Sequence, residues 1–413
     1  MKNYLALLDA APPAEKWPLF RKLMTEERQP FFAQLREERP VFETPELTVV
    51  SRFADCATVL RRFKDFGVDL YEPKQGDYFM AQDDTADHWR DKSVMKSILD
   101  FEEVPGMRAF IGARAAEILK AGNGAIDAPK QLTRAVPIAL VQQYFGFKGG
   151  NPEKLTDWSY WNQQDAFHNQ FFDTDVAPDP EHIIEERKKA NIMLAAYLGS
   201  VLFRRWLPVR LGFGGQDSVA RLLRLSFSRG IKFPIKKVLF NTGGLLIGAV
   251  ETTSNVVNNA LAELLGRPDV LEGARRAAAA NDPKEFDGYV FEALRFNPAF
   301  PYFFRVCHRP TVLAGGTPFA REVPKARTVI AVTHSAMFDD AAFPDPDRFD
   351  HSRSQADNFV FGQGFHECLG RIIAEAMVPE IVRQCLRLPD LRALGPIELK
   401  RGVPDSFKLE WRV

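Results

Sequence analysis

The stretch from about Pro234 to Leu265 constrains this chain more than any other. Its middle, NTGGLLIGAVETTSNVV, is apolar on nearly every face. A helix of that kind has no side to show water, so it must cross a core rather than lie on one. At 1.5 Å per residue it spans roughly 45–50 Å, a length that many other helices must cover. Apolar residues at helical spacing over 108–122, 132–147, 153–172 and 182–206 supply them. Ahead of these, the pattern predicts a hairpin over 41–52, a helix in FADCATVLRRF, a long loop over 64–87 and a helix from about His88 to Leu99. After Pro298 the helical period is lost. TVLAGGTPFA and TVIAVTHSAMF read as short strands, AAFPDPDRFDHS as an irregular meander, and a last helix is expected over about 369–386. The expected fold class is mainly α with a small β-rich part, in one domain over 1–413. Its strand-bearing parts fall at about 40–60 and 299–350, its helical parts at about 88–298 and 369–386.

Composition narrows the function. The 54 basic and 54 acidic residues cancel, so no global field draws the chain to nucleic acid or to an anionic membrane. The one basic run, 221–237, reads as a solvated helix face. Cys56, Cys307, Cys368 and Cys385 are scattered, which argues against a disulfide framework or a Cys-rich metal site and fits a reducing cytoplasm. No signal-peptide pattern opens the chain, and no stretch approaches the 18 apolar residues a membrane span needs. A soluble cytoplasmic protein without a membrane anchor is expected.

The chemistry centres on FGQGFHECLGR, residues 361–371. Cys368 stands just before the predicted last helix, where free N–H groups favour thiolate over thiol. Gly364 and Gly370 flank it and permit a tight turn and close approach to a flat ligand. A lone Cys ligand suits haem iron better than zinc. This loop resembles the cysteine-ligand loop of the cytochrome P450 superfamily of haem-thiolate monooxygenases, soluble bacterial type, with Phe361, Gly362, Gly364, His366, Cys368 and Gly370 at the matching places.

The resemblance implies further roles. Glu292 and Arg295, three apart on a predicted helix, match the family's Glu–Arg pair, and Arg348 matches the meander residue that completes its structural charge triad. Gly248-Ala249-Val250-Glu251-Thr252 matches the segment where an acid and an alcohol relay protons beside the distal haem face, although the family usually has Gly at Ala249. Thr252 bonded back to its own helix is the bland alternative. For the haem propionates the family pattern points to His88 and Lys92, where Lys replaces the usual Arg, and to Arg305 and His366. The implied cofactor is haem b, with O2 as co-substrate and electrons ultimately from NAD(P)H.

Electrons are expected from a separate ferredoxin or flavodoxin with its reductase, docking on the cysteine side near Arg90, Lys96 and Arg371. Ala249, Phe300, Tyr302 and Phe303 are expected to line a pocket for a small-to-medium hydrophobic molecule, hydroxylated or oxidatively dealkylated there. The helix WSYWNQQDAFHNQFF would suit a substrate with a polar end, although polar residues on such a helix are more often simply solvated. Two rival readings stay open: a peroxide-using peroxygenase or isomerase, and a non-catalytic haem protein that binds a ligand.

Overall fold

The apolar stretch crosses the core, but in two pieces. Helices Ile235–Ala249 and Glu251–Leu265 meet at Val250, whose backbone (φ −91°, ψ −70°) departs from helical geometry. The computed structural model describes residues 2–83, 85–228 and 230–413. Met1, Asp84 (in the loop expected over 64–87) and Arg229 (in the basic run) lie outside them. Leu246, Val250, Val257 and Leu261 are fully buried in the main apolar cluster, with Val290 and Leu294 of helix Lys284–Phe296 and Ile381 of helix Arg371–Leu386. Each such side chain contributes about 1.5–3 kcal/mol on burial. Helix Pro152–Gln163 lies across the first piece, its Ser159 hydroxyl donating to the Leu246 carbonyl at 3.4 Å.

The hairpin forms from Val41–Glu43 and Leu47–Val50 and extends into a five-stranded sheet. Thr328–Ala331 pairs parallel with the second strand, and Phe303–Cys307 and Phe66–Gly67 follow antiparallel. In TVLAGGTPFA only Thr311–Leu313 is strand, and after Ala331 the chain turns into a short helix, Thr333–Ala336. A C-terminal set of strands was not expected. Lys408–Glu410 pairs with Ala125–Asp127 and with Arg392–Ala393, and Glu398–Lys400 pairs with Val403–Ser406. These strands are two to four residues long, too short for an alternating pattern to emerge.

Helix Pro180–Arg210 corrects another expectation. It has 31 residues and contains an 18-residue window of mean hydropathy 1.2, so by length and composition alone it meets the test for a membrane span. Only 28% of that window is buried in the fold.

Candidate active site

The cysteine loop is built by its glycines. Gly362 and Gly364 have φ of +66° and +76°, and a Cβ on Gly364 would stand 2.8 Å from the Leu60 carbonyl oxygen and 2.9 Å from Arg61 Cα. Only glycine fits there. The loop closes through the Cys368 N–H, which donates to the Phe361 carbonyl at 3.0 Å. Burial pushes the Cys368 thiol up, while the backbone N–H groups of Gly370 and Arg371, at the start of helix Arg371–Leu386, donate to its sulfur and oppose that. Cys368 is nonetheless accessible, so it lines an internal hollow. Gly248, accessible in the middle of the long helix, also faces open space, because a Cβ there would meet nothing within 4 Å. A surface cleft of about 660 Å³ lined by Asp287, Phe291, His351, Arg371 and Glu375 includes neither residue and is a separate feature.

One buried guanidinium and two buried imidazoles, whose pKa values burial pushes down, gather beside the loop with polar atoms left unanswered. Thr85 caps helix Ala86–Ser97 by accepting the His88 N–H, which fixes His88 on its first turn. His88 Nδ1 bonds the Phe79 carbonyl at 2.7 Å, and Nε2 is buried without a partner. The His366 ring stands 5.1 Å from that of His88, and both of its nitrogens are buried without partners. Arg305 is 5% exposed, its guanidinium donates to its neighbour's carbonyl, Phe304 O, and no described carboxylate lies within ion-pair distance. A buried guanidinium and two buried rings left in this state are costly, and a pair of carboxylates satisfies them. The residues present therefore fit a haem: Arg305, His88 and His366 would hold its carboxylates and Cys368 would hold its iron. The Lys92 ammonium donates to the Phe365 and Glu367 carbonyls and so clamps the cysteine loop. Burial pushes it down to about 8.

On the long helix the break at Val250 sets the geometry. The Thr252 hydroxyl donates to the Gly248 carbonyl at 2.5 Å, back along its own helix. Back-bonding of this kind bends helices, and here it coincides with the break at Val250. Glu251 turns the other way. Its carboxylate is buried and takes two bonds from Arg134, at 2.7 and 2.9 Å, while Arg134 also donates to the Pro404 carbonyl at 2.8 Å. Burial raises the Glu251 pKa and Arg134 holds it back. The expected acid–alcohol neighbours thus point to different partners. Arg134, which no motif marks, is the residue the sequence missed. So is Tyr78 of the 64–87 loop, which packs where a Cβ on Gly244 would stand and feels the charge of Cys368.

The charge triad forms with a different third member. Glu292 and Arg295 are fully buried and joined at 2.8 and 3.0 Å, and Arg295 also donates to the carbonyls of Met337 and Pro346. The third charge is Arg353, 3.4 Å from Glu292. Arg348 is exposed and offers only its backbone carbonyl to Arg295 and Arg353. The meander's irregular turns decide which of two arginines five residues apart points inward, and spacing alone does not.

Phe300 and Phe303 are half-buried and near one another (ring centroids 6.3 Å), and Phe303 lies 3.9 Å from where a Cβ on Gly362 would stand. Ala249 is half-buried beside Gly248. Tyr302 does not join them. Its hydroxyl donates to Asp173 at 3.0 Å and its ring packs edge-on against Trp17, in the N-terminal aromatic cluster. The polar residues of the helix over it are not solvated. The amide groups of Gln163 and Gln164 and His168 Nε2 are buried without partners among the described residues.

The comparisons agree with this geometry. The family model "Cytochrome P450" matches residues 163–390, more than half of the chain. Cytochrome P450 107B1 of Saccharopolyspora erythraea is 25% identical over 92% of this chain and 93% of its own length. The monooxygenase PikC of Streptomyces venezuelae is 26% identical over 98% and 95%, and the vitamin D(3) 25-hydroxylase of Pseudonocardia autotrophica is 24% identical over 87% and 86%. Among solved structures, CalO2 shares the fold at a TM-score of 0.80 and 21% identity, over 98% of this chain and 99% of that one. With an accessible cysteine on a glycine-built loop and a buried cluster of Arg305, His88 and His366 with unanswered polar atoms beside it, the chain belongs to the cytochrome P450 family of haem-thiolate monooxygenases.

Proposed function

We propose that this monooxygenase oxidises a small or medium-sized, largely apolar molecule with a hydrogen-bonding end, with Cys368 as the axial thiolate of haem b. The observation that carries the reading is the accessible Cys368 sulfur beside the buried, carboxylate-free group of Arg305, His88 and His366. Haem b, with dioxygen and electrons from NAD(P)H, supplies the oxidising chemistry when bound.

The chain supplies position, dryness and protons. The N–H groups of Gly370 and Arg371 hold negative charge on the Cys368 sulfur and tune its donation. Arg305, His88 and His366 anchor the propionates. Thr252 Oγ1, on giving up its bond to the Gly248 carbonyl, would offer a proton to the reacting centre, and Glu251, once its carboxylate leaves Arg134 and takes up a proton from water, would return that proton to Thr252. Ala249, Phe300 and Phe303 keep water from the reacting centre. Gln163, Gln164 and His168 hold the polar end of the substrate, since each of their groups costs about 1–3 kcal/mol if left unpaired.

Electrons arrive from a separate ferredoxin or flavodoxin on the cysteine side. Arg90 is paired with Asp87 and Asp91, and Arg371 with Glu367 and Glu375. Lys96 is exposed and meets no carboxylate among the described residues, so it presents the most available charge there. The test is an optical titration of haem-loaded protein with fatty acids, terpenes, steroids and aromatic ethers and acids. A saturable spin-state change with one class, stronger for members with a polar end than for their hydrocarbon counterparts, supports the reading. No change with any class counts against the substrate assignment.

A further inference from the structure

Helix Pro180–Arg210 turns an apolar stripe to the solvent. Ile192, Ala196, Gly199, Phe203 and Leu207 recur every three or four residues on one side and are all exposed, Phe203 at 84%. The stripe continues past the helix end in Leu211 and Phe213, the latter 83% exposed. Its opposite side is committed to the fold, with Leu194, Leu198, Val201 and Leu202 in the main core. Surface leucines and phenylalanines scattered singly need no explanation, but a contiguous apolar run of this length on one helix does.

Charge is segregated in the same place. The chain as a whole is neutral, yet residues 203–237 hold nine Lys and Arg against one acid, Asp217. Some of these are neutralised: Arg205 by Asp217, Arg221 by Glu103, Lys236 by Asp77 and Lys237 by Asp91. Arg204, Arg210, Arg224 and Lys232 meet no carboxylate among the described residues. Arg210 stacks on Trp206 and Phe227, which ties the stripe to the start of the basic segment.

We infer that this face docks on an anionic lipid surface. Aromatic and aliphatic side chains beside unneutralised arginines are the chemistry of a helix lying in a bilayer interface. The buried side of the helix holds it to the protein, so it lies on the membrane and does not span it. The face is open rather than recessed, since a Cβ at Gly199 or Gly212 would meet nothing within 4 Å. A deformable apolar phase fits it better than a partner's pocket. A second copy fits it poorly, because a two-fold contact through the stripe would bring the two basic segments together. Nothing in this inference depends on the haem site or on the substrate.

The test is sedimentation of the haem-loaded protein with vesicles of phosphatidylcholine alone and of phosphatidylcholine with 30% phosphatidylglycerol, at low and high salt. Docking predicts at least a several-fold larger bound fraction on the anionic vesicles, falling with salt. The variant Phe203→Ser/Phe213→Ser should retain its haem and lose most of that binding, and Arg204→Gln/Arg210→Gln should lose the preference for anionic lipid. Absence of binding to anionic vesicles, or equal binding by the phenylalanine variant, would overturn the inference. A concentration-dependent dimer in analytical ultracentrifugation, abolished by the same variant, would assign the face to a second copy and overturn it equally.

Discussion

The Glu251 carboxylate is gripped by Arg134 on two sides, at 2.7 and 2.9 Å, while the hydroxyl of adjacent Thr252 faces back along the helix. A buried pair of this kind is weak evidence for stability, but breaking it from one side strands a charge. Arg134→Ala should therefore destabilise the fold by about 3–5 kcal/mol. Glu251→Gln should cost less, because the Pro404 carbonyl still receives Arg134. The double variant should recover much of the loss seen for Arg134→Ala. Urea unfolding of all four proteins measures this, and simple additivity would mean that the two groups are not coupled.

Thr252 carries the second prediction. Thr252→Ala should leave the fold and haem binding intact and raise the reducing equivalents consumed per product formed, because protons then reach the distal side without control. NAD(P)H consumption and product are measured together with a surrogate ferredoxin and its reductase. Unchanged coupling would remove Thr252 from the proton path and favour a peroxide-using reaction, in which the protons arrive with the oxidant.

The third concerns the charge triad. Arg353→Ala should lower the unfolding midpoint and haem retention clearly, since it removes a charge 3.4 Å from the fully buried Glu292. Arg348→Ala should stay within about 0.5 kcal/mol of the parent, as surface substitutions do. The reverse order in thermal unfolding would restore Arg348 to the triad.

The fourth is a pH effect. Burial, helped by the charge of Arg21, pushes His168 down to about 4. The unfolded chain binds a proton on this ring below its ordinary value of about 6.5, and the folded chain does so only near 4. The unfolded state thus binds more protons between these values, and stability is full above 6.5 and declines as pH falls toward 4. His168→Gln should flatten that decline relative to the parent in denaturant midpoints at pH 4.5, 5.5 and 7. An unchanged slope would show that the ring titrates normally.

Much of this molecule was legible in the sequence because its signals are local. The cysteine loop announces itself through its glycines, of which Gly364 tolerates no Cβ because Leu60 and Arg61 approach so closely. The all-round apolar helix is equally local. What escaped is non-local or irregular. Arg134 reaches Glu251 across 117 residues, and no spacing rule joins them. Ala125–Asp127 finds Lys408–Glu410 at the far end of the chain. Whether Gln163 and Gln164 meet water or protein depends on what covers their helix, and composition is silent on that. The basic run read as a solvated face takes on meaning only beside the apolar stripe of Pro180–Arg210.

The central claim is that Cys368 is the axial ligand of the haem iron. It is tested most directly by the optical spectrum of the reduced, carbon-monoxide-bound protein, compared with that of Cys368→Ala. The account predicts a thiolate-type spectrum for the parent and its complete loss in the variant, with the fold preserved by circular dichroism. A thiolate-type spectrum that survives in Cys368→Ala would contradict it.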